Sequence, residues 1–521
     1  MVVIDGPAQK KAPPPPNHEQ DQEHDQNDQP PAYGTPEGTY RVPVNGENSP
    51  LLFPTAGYPN APQGYSAVRD TGRGVEGGSG GDGGRGREAP WKRFVKAFLV
   101  AVVVWMLAMA FVRSLVWSIG GHRGRGAWGD YPIPDGLKVS ECLPRDKWET
   151  PLRQAQLDVA PPTAPGLARY PAASTTSFEL PLSADSLYLL SRGAYSGGSV
   201  DVVTSANQKQ GSVTVVVTVK YFHEEMRDAV MVCRVERRKG DSGVGIFTPS
   251  YMWRGDAVYV ETLIVLPEVD RNVSPLHIKN LETDVPNTLH RLHAKTDLIT
   301  FDKLNIQGSN GLITAVSLGA TNARIVTSNA PISGVFNSTG NLSLETSNGA
   351  IQVSVKLHNK EASTPNKLSI ITSNGPLEAN IDLTSSSSPK KGSRDVAQPQ
   401  YDVETTTSNS RLQTNFWRFP TDAVLRFSGT TSNGLAKAQI NAEYQGAFEV
   451  QTSNGGATLQ HHTQQDPSGR GRKRALKVER EGKTYVQGAV EWVGGRDGGR
   501  GKVQMGSVEL ATSNGEAVLV L

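Results

Sequence analysis

Between Ser309 and Gly515 the chain repeats one frame, Thr-Ser-Asn-Gly or a close variant, eight times. The asparagines are Asn310, Asn329, Asn348, Asn374, Asn409, Asn433, Asn454 and Asn514. Serine precedes each of them, threonine sits two before in all but the first copy, and glycine follows in all but two, where Ala330 and Ser410 stand instead. A turn that recurs in a fixed frame implies one supersecondary unit built repeatedly. Few other features of the 521 residues restrict the fold so strongly.

The flanks define the unit. Six residues before each asparagine stand Leu304, Ala323, Leu342, Leu368, Val403, Phe427, Phe448 and Val508, and three after stand Ile313, Ile332, Ile351, Leu377, Leu412, Ala436, Ala457 and Ala517. All are apolar, and polar residues alternate with them at the period of two that marks a strand with one buried side. Each unit therefore reads strand, tight turn, strand. Asn-Gly suits such a turn because both residues tolerate positive φ. A set of β-hairpins in an antiparallel sandwich is the simplest arrangement. The spacings of 19, 19, 26, 35, 24, 21 and 60 residues between successive asparagines favour another: a short unit persists while extra residues enter between units. The expected fold class is all-β, a repetitive β-solenoid or β-helix-like domain over 301–521 whose Thr, Ser and Asn side chains stack in polar ladders.

The rest of the chain differs in character. Residues 1–90 hold 14 Pro and 15 Gly, a composition that cannot bury a core and reads as a disordered tail. From Ala97 to Val112 no residue is charged, and the apolar character resumes after Arg113 as far as Ile119. A helix over 94–119 would span a bilayer, and with no cleavable leader before it the segment reads as a signal anchor. Arg85, Arg87, Lys92, Arg93 and Lys96 precede it, against Arg113, Arg123 and Arg125 within or after it. That bias predicts a single-pass type II protein with a cytoplasmic N-terminus, in the plasma membrane or an endomembrane such as the vacuole. Residues 120–174 read as a Pro-rich stalk. Residues 175–300 read as atypical β rungs that cap the stack, with a separate small β-sandwich as the alternative. Within them Val200–Ser205 resembles the first half of a repeat.

This topology places three N-glycosylation sequons, Asn272, Asn337 and Asn341, on the lumenal or extracellular side. Cys142 and Cys233 lie there too, where an oxidising compartment permits a disulfide, two free thiols being the alternative. In the tail, Pro30-Pro31-Ala32-Tyr33 fits a WW-domain ligand, while Glu47–Leu52 and Tyr65–Val68 resemble sorting signals read by adaptors.

Chemistry is hard to find. A solenoid hydrolase needs carboxylates together. Five before each asparagine stand Asn305, Arg324, Ser343, Ser369, Glu404, Ser428, Glu449 and Glu509; only the last two acids fall in consecutive repeats, across the longest gap. His290-Arg291-Leu292-His293 has a metal-like spacing only if helical, in a β-rich region. Arg470–Arg474 reads as a solvated basic loop. Metal, cofactor, catalytic residue and nucleic-acid partner are all expected to be absent.

The repeated turns between alternating strands resemble the adhesin-type β-repeat family of bacterial envelope proteins and fungal single-pass membrane proteins, over about two-fifths of the chain. The resemblance implies a non-catalytic surface role. The expectation is thus a membrane protein displaying a repetitive domain for adhesin-like or structural contact with a glycan or surface protein. A solenoid-type polysaccharide hydrolase and a membrane adaptor recruiting WW-domain partners are the alternatives.

Overall fold

The computed structural model describes residues 130–150, 170–194, 196–251, 258–269, 274–293, 298–386, 398–494 and 504–521. The tail at 1–90, the apolar segment at 94–119, parts of the 120–174 stalk and Asn272 lie outside the described residues. Among the described residues no helix is long and apolar enough to cross a membrane.

The described chain is all-β. Its 27 strands form one nearly closed sheet, with a single short α-helix at Glu224–Asp228. The alternation seen in sequence is what buries one side of each strand. In Ile351–Asn359 the side chains of Ile351, Val353, Val355 and Leu357 point inward while Gln352, Ser354 and Lys356 point out. Replacing one of these inward residues, Ile351 for example, with alanine would leave a cavity costing about 2–5 kcal/mol.

The pairing excludes hairpins across the asparagine turns. Ile351–Asn359 pairs in parallel with Ile332–Ser338 on one side and Leu377–Ser385 on the other. Asn341–Thr346, on the near side of the same turn, pairs in parallel with Asn366–Thr372. The strand before each turn thus lies beside the strand before the next turn, forming a first ladder, and the strands after the turns form a second. The two inner faces meet in one apolar cluster that runs from Phe178 to Leu521. Residues added between repeats, such as 360–365 and 419–423, enter at the edge away from the asparagine turns.

At both ends the order in the stack departs from the order in the sequence. The final strands Gly506–Thr512 and Ala517–Val520 insert between earlier rungs: the first pairs with Val424–Thr430 and Gly446–Thr452, the second with Ala436–Gln439 and Ala457–Gln460. The long gap before them holds Lys473–Gly482 and Tyr485–Val493, an antiparallel pair that covers Gly446–Thr452. At the other end Ser186–Arg192 lies between Asp241–Phe247 and Leu276–Asp284. Ser196–Ser205 likewise lies between Val258–Pro267 and Thr288–Leu292, so Val200–Ser205 belongs to the second half of a rung, not the first. Antiparallel strands cover this end also: Ser212–Tyr221 lies on Val258–Pro267 and Met231–Glu236 on Asp241–Phe247. A bare parallel edge would recruit other chains, and antiparallel covers of this kind prevent it.

A disulfide joins Cys142 to Cys233, beside the short pairing of Lys138–Ser140 with Met231–Glu236.

Candidate functional site: polar columns and an outer groove

The asparagines form one column. Each donates its side-chain amide to the side-chain oxygen of the asparagine in the rung before it, at 2.6–2.7 Å from Asn329 onward. The series starts one rung earlier than the repeated frame suggests, because Asn310 donates to Asn287. Pro286-Asn287-Thr288 lacks the Ser-Asn-Gly frame, although Leu281 holds the apolar place six before it. The column passes without a break through the departures at Gly308, Ala330 and Ser410.

The threonines two places earlier are buried and tie rungs together. Thr346 donates to the Ala330 carbonyl at 3.1 Å and accepts from the Gly349 amide at 3.2 Å; Thr372 does the same with Gly349 and Gly375. The turn glycines, however, do not have positive φ. Asn287 is the only column residue that does. What a side chain would meet at these glycines is backbone: a Cβ on Gly349 would stand 1.9 Å from the Ala330 carbonyl oxygen, and one on Gly375 1.8 Å from that of Gly349. Nothing in the structure explains how Ala330 and Ser410 are accommodated at the same place.

The outer face of the first ladder is concave. A groove of about 1010 Å³ runs across its strands from Asn280 and Glu282 to Glu449 and Gln487. Its walls are the outward residues five and seven places before each asparagine, a set wider than the five-before series and not neutral. Beyond Glu282, the cations Lys303, Arg324 and Lys367 line one half; Glu404, Glu449 and Glu509 line the other, with Lys367 and Glu404 on adjacent rungs. In the acidic half Arg426 pairs with Asp402 at 3.0 Å, and in the basic half Arg324 reaches Glu345 at 2.9 Å. Glu509 is the direct register neighbour of Glu449 on one side and, because the final strands insert, of Ser428 on the other. Sequence spacing separates these two acids; the stack brings them side by side, about 4.8 Å apart along the backbone.

Other candidates are dispersed. His290 and His293 lie on the strand Thr288–Leu292 and just past it, an odd separation that turns them to opposite faces. His290 is fully buried, its ring bonded to Thr283 Oγ1 and the Thr288 carbonyl, and desolvation lowers its pKa to about 4. His293 is about half exposed, 4.0 Å from Asp201. Among the described residues no group of three or more His, Cys, Asp or Glu side chains could hold a metal ion. Asn337 is half-buried within Ile332–Ser338, and Asn341 is exposed on the groove wall. Pro30, Pro31 and Tyr33 lie outside the described residues.

Arg470–Arg474 is not a solvated loop. It folds around Asp466, which accepts from the Arg470 and Arg472 backbone amides and the Arg472 side chain; this last contact leads in holding the carboxyl well below its usual range. Arg472 and Arg474 both lie within 6 Å of the Trp492 ring, giving the arginines a ring face that the charge run alone does not reveal.

No family model matches the chain, and no curated protein does. Two solved structures show a distant likeness. One is a protein of Clostridium sporogenes provisionally named for cell adhesion: 10% identity, 67% of this chain and 98% of that one covered, TM-score 0.14. The other, from Parabacteroides distasonis, is provisionally named for lipid binding: 10% identity, 51% and 89% covered, TM-score 0.21. Scores this low carry no argument about shared structure or role.

Proposed function

We propose that this chain is a non-catalytic single-pass membrane protein that displays a β-solenoid for adhesin-like or structural contact, at a cell surface or in a lumen. The groove on the first ladder is its contact surface for a glycan or surface protein. The observation that carries this reading is the groove itself, which crosses strand after strand with hydrogen-bonding side chains and charges of both signs. Such a surface suits an elongated, polar partner better than a small molecule, which needs an enclosed apolar pocket. The 94–119 segment supports anchoring, with the tail on the cytoplasmic side. The experiment is adhesion of cells displaying the full chain, compared with Arg324→Glu/Lys367→Glu. Reversing two of the basic charges in one half of the groove should sharply weaken adhesion without changing the denaturation midpoint; undiminished adhesion contradicts the reading. Protease protection of the C-terminal part in sealed vesicles tests the topology.

A polysaccharide hydrolase is the second reading, favoured by the adjacency of Glu449 and Glu509. It stands second because the pair occupies one end of a groove whose length otherwise carries binding groups. Release of reducing ends from a polysaccharide by the full chain, abolished in Glu449→Gln and in Glu509→Gln, would reverse the order.

A further inference from the structure

Trp417 stands on the outer face of the second ladder, away from the groove, and is 65% exposed. It is the extra residue of a bulge: Phe416 pairs with Ile381 and Arg418 with Asp382, leaving Trp417 unopposed. Bulges of this kind re-aim a side chain. The side chain is nonetheless held in place. Its indole Nε1 donates to Asn380 Oδ1 at 3.0 Å, and its backbone carbonyl accepts from Asn441 Nδ2 at 2.6 Å. Exposing the largest side chain while fixing its orientation favours recognition over packing.

The surroundings state what could be recognised. Ser354, Asn380, Asn415 and Gln439 are register neighbours in successive rungs and carry no charge. The columns beside them mix signs, Glu378 and Lys437 on one side and Lys356, Asp382 and Arg418 on the other, an excess of one cation that leaves no strong field to select an ion. Because indole N–H can only donate, it fixes which amide atom Asn380 presents, and Asn415 Nδ2 then donates to the same oxygen at 3.0 Å. Asn380 keeps an outward N–H donor and Asn415 a carbonyl acceptor. A donor and an acceptor one rung apart match the hydroxyls of a sugar, which both donate and accept.

We propose that this face binds a neutral, linear, β-linked hexose glycan lying across the strands. One ring stacks on the Trp417 indole and its neighbours bond to Asn380, Asn415 and Gln439. The rung spacing of about 4.8 Å is close to the length of one such sugar unit in an extended chain. The proposal names a ligand class for the contact role inferred above, but on a different face, so either can fail alone.

The test is titration of the full chain with cellohexaose, laminarihexaose and chitohexaose, read by calorimetry and indole fluorescence. At least one should bind. Trp417→Ala should weaken that binding at least about tenfold, Trp417→Phe should retain most of it, and Arg324→Glu/Lys367→Glu should leave it unchanged. Since the indole is mostly exposed, the alanine variant should keep the wild-type denaturation midpoint; the phenylalanine variant and Asn380→Ala, which should bind more weakly, give independent readings if it does not. Absence of binding to all three probes, equal binding by Trp417→Ala, or loss on Trp417→Ala of attachment to a deglycosylated protein surface alone would overturn the proposal.

Discussion

Asn514 donates its side-chain amide to Asn433 across 81 residues of sequence and accepts one from Asn454, so the last turn of the chain is the next to last in the stack. The strands Gly506–Thr512 and Ala517–Val520 therefore form an interior rung, clamped between strands earlier in the sequence.

The asparagine column is exposed, which places each of its bonds at the low end of the usual range. Asn374→Ala removes two of them and should cost about 1–2 kcal/mol by chemical denaturation. Asn374→Asp should cost more at neutral pH, since a carboxylate cannot donate to Asn348, and part of that loss should return below about pH 4.

The turn glycines separate two explanations of one residue type. If backbone approach is the constraint, Gly349→Asn should be as damaging as Gly349→Ala, each by about 3 kcal/mol or more, because either Cβ meets the Ala330 carbonyl. A left-handed turn would tolerate asparagine far better than alanine. Denaturation midpoints of the two variants decide.

How much of this was legible in the chain depends on which residues carried it. The period-two flanks around Asn348 fix strand, turn and buried face, and the all-β class follows. The role of Thr346 does not follow, because a side chain that bonds the neighbouring rung looks the same as one that starts a turn. Asn287 was missed since His290 occupies the apolar place three residues on, made buriable by its two hydrogen bonds. The order of rungs at the ends was hidden because spacing records how far apart repeats are, not which are neighbours. Glu449 and Glu509 stand in consecutive repeats, so their adjacency was legible; that Glu509 also borders Ser428 was not.

His290 predicts a pH dependence. Its folded pKa of about 4 lies below the ordinary 6.5, so between those values the unfolded chain binds a proton that the folded chain refuses. Stability should rise as pH goes from about 4 to 6.5 and fall on acidification, by up to about 3 kcal/mol. His290→Gln should flatten that part of the profile in urea titrations at stepped pH.

The Cys142–Cys233 disulfide closes a loop of 91 residues. Loop entropy assigns it about 4.6 kcal/mol. Cys142→Ser, and the wild type under reductant, should lose stability by similar amounts; a larger loss in the variant alone would point to packing at the site.

The order of the final rungs is the feature that most sharply distinguishes this stack from one laid down in sequence order, and paired cysteines read that order. Adjacent rungs lie about 4.8 Å apart, within reach of a disulfide, whereas rungs two apart do not. On oxidation of the full chain lacking Cys142 and Cys233, Asn433→Cys/Asn514→Cys and Asn514→Cys/Asn454→Cys should each cross-link, and Asn433→Cys/Asn454→Cys should not. A bridge between positions 433 and 454 with none to 514 would contradict the stack.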